Sequence, residues 1–203
     1  MHTISLVDRT RIAAAIAEAE RHTAGEIVCV LMRSSSDYSY GPILWASFLA
    51  LLSPWAFMFF THVSTVKILS AQIAVFIATA LILWWPPLRM LLVPRSLLRT
   101  RAHRAAMEQF FARGVSLTKD RMGVMIFVSL AERYARIIAD NGAARLIDHE
   151  DWQHAVDALT AQMPDGHIAE GFIAAIERCG KVLAEHVPPN GEPHVLPNRI
   201  YVL

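Results

Sequence analysis

The chain of 203 residues carries 19 Lys and Arg against 18 Asp and Glu, a formal net charge of +1. A balance so near neutral excludes the bulk electrostatic attraction on which nucleic-acid binding rests. The 54% hydrophobic content is high for a water-soluble chain of a length that holds one or two domains.

No cleavable signal peptide is expected, because residues 1–33 are polar and charged and the first apolar run begins late. Residues 6–22 predict an amphipathic helix: Ile12, Ala15, Ile16 and Ala19 recur at three- and four-residue spacing, with Arg9, Arg11, Glu18 and Arg21 elsewhere around it. Ser5 followed by Asp8 is a capping pattern, and Gly25 is a stop signal. Residues 26–32 are mostly apolar and β-favouring, as a strand covered on both faces should be. Residues 33–41 form a polar linker, and Pro42 opens the next segment.

Lys67 is the only Asp, Glu, Lys or Arg between Asp37 and Arg89. On either side of it lie two apolar runs, 43–60 and 68–85, each of 18 residues. At ~1.5 Å per residue each reaches ~27 Å, close to the ~30 Å hydrocarbon thickness of a bilayer. They predict a transmembrane hairpin with a short polar connection at 61–67. A buried helical pair in a soluble core is the competing reading. The rest of the chain, about 150 residues on a domain-sized scale, is too small to cover two wholly apolar helices. Pro54 is expected to kink the first helix. Gln72, four residues into the second run, is read as a hydrated residue near the membrane surface. No ionisable residue lies mid-span, which argues against a transporter or channel.

Arg89, Arg95, Arg99, Arg101 and Arg104 follow the second run among apolar residues. They predict a basic juxtamembrane helix at 86–113 on an anionic lipid surface. Positive residues stay on the cytoplasmic side, so both termini and the soluble domain are expected there, at a bacterial inner membrane. The lipid bilayer and a membrane-protein partner are the expected partners, and nucleic acid is not.

Residues 123–129 form the second clear strand. Residues 130–140 fit a helix and a strand equally, and Asn141-Gly142 reads as a turn. A helix is expected over 148–163, capped by Asp148, with Trp152, Val156 and Leu159 inward. Another is expected over 167–187. Residues 188–203 hold four prolines and predict an irregular, mobile tail. The organisation is therefore a first part of an α/β domain at 1–36, the hairpin at 43–85, the basic helix at 86–113, a second domain part at 114–187 and the tail at 188–203. Cys29 and Cys179, without CxxC spacing, read as buried free thiols. His149 and His154, spaced i,i+5, fall on different helix faces and do not suit zinc.

The stretches Thr23-Ala24-Gly25-Glu26-Ile27-Val28, 121–134 and Ile137-Ile138-Ala139-Asp140-Asn141-Gly142 resemble the TPM domain family, over residues 5–36 and 98–187. The hairpin sits where a bacterial membrane-protein branch of that family carries one. The resemblance implies an α/β sandwich, a small mixed sheet between helices, with 130–140 largely a strand paired to 123–129. It also implies two kinds of function. Plant relatives are proposed phosphatases, and an animal relative is an auxiliary subunit of a receptor channel. The family's acidic site lies before the second strand and after the third, where this chain has Asp120 and Asp140. These would be the carboxylates for Ca²⁺ or Mg²⁺ in a phosphatase-like hydrolase. Arg121 departs from the small polar residue usual there. The expectation is an accessory or assembly factor acting through protein binding, with a metal-dependent phosphatase as the alternative.

Overall fold

The structure, a computed structural model, describes residues 4–36, 40–60, 64–85, 93–163, 166–191 and 193–203. The chain divides into two units, Met1–Ser35 with Arg101–Leu203, and Ser36–Thr100.

The first unit is α/β. Helix α1 (Leu6–Glu20) opens on the expected capping box. Ser5 Oγ accepts from the Asp8 N–H at 3.1 Å, and Asp8 Oδ2 accepts from the Ser5 N–H at 3.3 Å. Strand β1 (Glu26–Met32) follows, buried along nearly its whole length. Helix α4 (Arg95–Ala112) begins within the last residues of the second unit, and strand β2 (Gly123–Ser129) and strand β3 (Tyr134–Ala139) follow it. Gly114, at φ +72°, takes the left-handed backbone that closes α4. The ambiguous segment 130–140 thus resolves into a turn and a strand, as the resemblance implied. Helices α5 (Asn141–Leu146), α6 (His149–Ala161) and α7 (Ile168–His186) lead to strand β4 (Ile200–Val202).

The sheet order is β3-β2-β1-β4. β1 runs parallel to β2, pairing Glu26 with Gly123 and Met32 with Ser129, and parallel to β4, whereas β2 and β3 are antiparallel. Side-chain alternation then sorts the core into two layers. On one face Ile27, Cys29, Leu31, Val124, Ile126 and Val128 join Ile12 and Ile16 of α1, Leu159 of α6 and Phe172 and Ile176 of α7. On the other, Val28, Val30, Met125 and Phe127 meet Ala105, Ala106 and Phe110 of α4. Full burial of such apolar side chains contributes ~1.5–3 kcal/mol each, which fixes the register because a one-residue slip would exchange the faces. This is the expected small mixed sheet between helices.

Several boundaries differ from expectation. Among the described residues of 188–199 the chain is irregular, as expected, but its end is not. The run Ile200-Tyr201-Val202 adds a strand beside β1, and the Leu203 N–H donates to the Leu31 carbonyl at 2.9 Å. Asn141-Gly142 opens a helix rather than a plain turn, because the Asp140 carboxylate caps it, Oδ1 accepting from the Asn141 N–H at 2.7 Å. Asp148 holds the N-cap position of α6 without a side-chain cap bond, and Ala155 is the inward residue where Val156 is only half-buried.

The second unit consists of helices α2 (Tyr40–Phe60) and α3 (Thr65–Leu83), which pack along each other. Thr65, Val66 and Lys67 belong to α3, not to the connection, and residues 61–63 lie outside the described residues. α2 continues through Pro54. Proline has no N–H for the Ala50 carbonyl, and Ser53 Oγ donates to that oxygen instead, at 2.9 Å. Ser70 Oγ likewise donates to the Val66 carbonyl at 2.9 Å. Both helices are long and apolar enough to cross a membrane. Only 17% of the apolar window of α2 and 0% of that of α3 are buried.

Candidate functional site

The start of β2 and the end of β3 bring close the segments that carry the two acidic residues singled out in the sequence. Asp120 lies in the short 3₁₀ turn Lys119–Arg121, and both Asp120 and Arg121 sit at φ +56°. That left-handed conformation costs a non-glycine residue of order 1–3 kcal/mol and persists only where the surroundings enforce it. Here the enforcing neighbour is Gly142 in the first turn of α5. A Cβ on Gly142 would collide with the Asp120 carbonyl oxygen and lie 2.7 Å from that of Arg121, so only glycine allows this approach.

Asp140 is 6% exposed. Its Oδ1 is engaged by the Asn141 N–H, and its Oδ2 is buried without a hydrogen-bond partner among the described residues. A buried acceptor left unpaired costs ~1–3 kcal/mol, which makes it the one atom here with unmet bonding capacity. The Asp120 and Arg121 side chains are exposed and form no ion pair among the described residues. Arg121 therefore does not neutralise either aspartate. The oxygen donors gathered at this end are hard ligands, of the type that Ca²⁺ and Mg²⁺ take. No group of three or more His, Cys, Asp or Glu arranged to hold a metal occurs among the described residues.

A second acidic cluster, which sequence reasoning missed, lies at the same end of the sheet. Glu20, 2% exposed at the end of α1, accepts the Ile27 N–H through Oε1 at 2.8 Å. Its Oε2 lies buried beside Asn198 without a hydrogen bond of normal geometry. Burial pushes this carboxyl up to about 7, with the neighbouring Glu26 adding to the rise and the Ile27 N–H, His194 and Asn198 opposing it. Glu26 accepts the N–H groups of Val195 and Leu196 at 3.0 and 2.8 Å, and His194 Nε2 meets the Glu20 carbonyl at 3.0 Å. These bonds are what hold residues 194–196 against the domain. Only Glu26 leading a strand hinted at the cluster.

At the opposite end, Glu132 ties down the exit from β1. It accepts from Ser34 Oγ at 3.2 Å and the Ser35 N–H at 2.9 Å, and a short bond from Ser129 Oγ, which itself accepts from Ser35 Oγ at 2.8 Å. Ser34 and Ser35 thus share a carboxylate partner, an arrangement that anchors the linker at the exit from β1.

Of the expected membrane-surface residues, Arg95, Arg99 and Arg104 are exposed on α4, Arg101 is half-buried and has a bonding partner, and Arg89 lies outside the described residues. His149 and His154 both sit on α6 without a third ligand among the described residues. Cys29 and Cys179 are fully buried, which raises both thiols, Cys179 to about 12.

Comparison with known proteins agrees with this architecture. The family model for the TPM domain matches residues 87–182. The NMR structure of the BA42 protein from the psychrophilic bacterium Bizionia argentinensis has the same fold, with a TM-score of 0.62 at 19% identity, covering 98% of this chain and 94% of that one. No curated protein matches the chain. The matched region holds α4 and the β2–β3 hairpin, whereas β1 and β4 lie outside it; over residues 87–182 the chain is similar to the TPM domain family.

Proposed function

We propose that this protein is anchored in a bacterial inner membrane by α2 and α3 and acts as an accessory or assembly factor, its TPM domain binding a membrane-protein partner. The carrying observation is the surface of the second unit. Large apolar side chains, among them Leu51, Trp55, Phe59, Ile73 and Leu81, stay open along both helices. Continuous apolar surface of this extent is unfavourable in water and favourable in hydrocarbon. The Arg-rich start of α4 supports a cytoplasmic position for the domain and both termini. Sodium carbonate extraction of cell membranes tests the anchor. The chain stays in the pellet if it spans, and its release into the aqueous fraction overturns the reading. Protease added to intact spheroplasts tests sidedness, since cleavage of the C-terminal part from outside reverses it. Purification in several mild detergents tests the accessory role, which fails if the protein is recovered alone in all of them.

The second reading is a phosphatase-like hydrolase dependent on Mg²⁺ or Ca²⁺. It is favoured by the Asp140 Oδ2, buried without a hydrogen-bond partner among the described residues, two residues from Gly142, against which the Asp120 and Arg121 carbonyls pack. A cation held there by Asp140, with or without Asp120, would polarise a phosphoryl oxygen or lower the pKa of a water. Phosphomonoester hydrolysis that chelator abolishes and Asp140→Asn removes is the expected result. Hydrolysis indifferent to both excludes this mechanism.

A further inference from the structure

We propose that the free edge of β3 is a docking groove in which an extended, acidic segment of a partner protein adds to the sheet as a fifth strand. The proposal deepens the accessory reading and rests on it in taking the ligand to be a protein.

The register supplies the first observation. The Asp140 N–H donates to the Gly123 carbonyl at 2.9 Å, and those two residues continue the β2–β3 pairing. In an antiparallel ladder the bonded pairs alternate, so Ile138, Arg136 and Tyr134 bond β2. The N–H and C=O groups of Ala135, Ile137 and Ala139 therefore point away from the sheet, and no hydrogen-bond partner meets them among the described residues. A donor and an acceptor at every second residue is the repeat of a peptide strand. A small anion would use only the donors.

The second observation is where this edge lies. It forms the floor of a cleft of about 640 Å³, walled by His103 and Met107 of α4 and by His149 and Trp152 of α6. Native sheets guard open edges against pairing with other sheets. Recession does so here, because a second copy would bring an edge sunk between its own two helices. A single extended segment enters where a sheet does not.

The third observation is the polarity of the walls. Trp152 is 8% exposed, lines the cleft, and has a buried Nε1–H with no acceptor among the described residues. The ionisable side chains lining the cleft are His103, Tyr134, Arg136 and His149, with no Asp or Glu among them. Arg136 is exposed, and its Nη1 lies 3.4 Å from His103 Nδ1. A surplus of donors around the Arg136 cation, with no lining carboxylate to oppose it, selects a ligand rich in carboxylates, which also gives faster encounter.

Selection of a random octapeptide library on the full chain in lipid nanodiscs tests this. The recovered peptides should be rich in Asp and Glu and free of central proline. In fluorescence anisotropy Arg136→Glu should weaken them by ~10-fold or more, the loss of one close charge contact. Ala135→Pro should do the same, since it deletes an outward N–H without touching the β2 ladder. Amide exchange at Ile137 and Ala139 should slow in the complex. Both variants must keep Cys29 and Cys179 shielded from thiol reagents; a variant that exposes them is replaced by Arg136→Gln. No enrichment over empty nanodiscs overturns the proposal, as does equal binding of basic peptides or binding insensitive to both variants. So does displacement by glutarate alone, which would mark a small-anion site, or self-association of the chain that Ala135→Pro abolishes. Peptides that bind while purification recovers no partner would sink the accessory reading and leave the groove standing.

Discussion

Glu20→Gln separates the cost of burying a carboxylate from everything else that titrates. The wild-type carboxyl is 2% exposed and moves from an ordinary 4.5 to about 7 on folding. Below pH 4.5 it is protonated in both folded and unfolded chains, and its favourable contribution is complete. As the pH rises towards 7 the unfolded chain ionises while the folded one does not, so stability falls through that window and levels off above it. The full loss is ~3 kcal/mol at most. Glutamine keeps an acceptor for the Ile27 N–H and removes the ionisation, at ~1 kcal/mol for an amide N–H₂ without a good acceptor. The net expectation is a variant similar to or slightly weaker than wild type at pH 5 and ~2 kcal/mol more stable at pH 8, about 4–8 °C in melting temperature for a chain of this size. The two cysteines give a selective assay, since both lie in the α/β core and none in the hairpin. A thiol-reactive dye followed during heating in mild detergent reports that unit alone. Parallel pH profiles for the two proteins between pH 5 and 8 would refute the account of Glu20.

Four further substitutions or treatments have definite outcomes. Gly142→Ala forces the Asp120–Arg121 backbone away and should cost ~1–3 kcal/mol, read as a lower melting temperature. An unchanged melt would mean the approach is slack. Glu132→Ala strands the Ser129 hydroxyl and the Ser35 N–H and should cost about 1–3 kcal/mol, with faster amide exchange at Ser35 as its local signature. Phe172→Ala, at a fully buried site, should cost ~3–5 kcal/mol. Native protein should leave Cys29 and Cys179 unreactive to a thiol reagent at pH 8 until it unfolds, and rapid labelling of either would contradict the burial found here.

Much of this fold could be read from residue order. Residues 26–32 and 123–129 are uninterrupted apolar runs, and a strand covered on both faces needs such a run. The apolar helices announce themselves by length and lack of charge. Residues 130–140 were undecidable by period, because Tyr134, Ile137 and Ile138 satisfy both a helix and a strand, and only the family resemblance settled them. The C-terminal strand was missed because three residues among prolines carry no periodic signal; β1 supplies its partner from far away in sequence. Asp120 and Asp140 were legible as candidates only through the family resemblance, and the structure places their segments together through Gly142. The Glu20–Glu26–His194 cluster was not legible, since burial and the backbone groups it holds depend on tertiary packing.

The placement of β1 has a consequence for synthesis. It is an inner strand, yet both of its neighbours are encoded downstream of α2 and α3. A nascent chain therefore emerges with β1 unpaired on both sides and must complete the hairpin before either neighbour exists. Its sheet closes only when residues 200–202 leave the ribosome, so translation pauses or truncations late in the message would strand an aggregation-prone apolar strand.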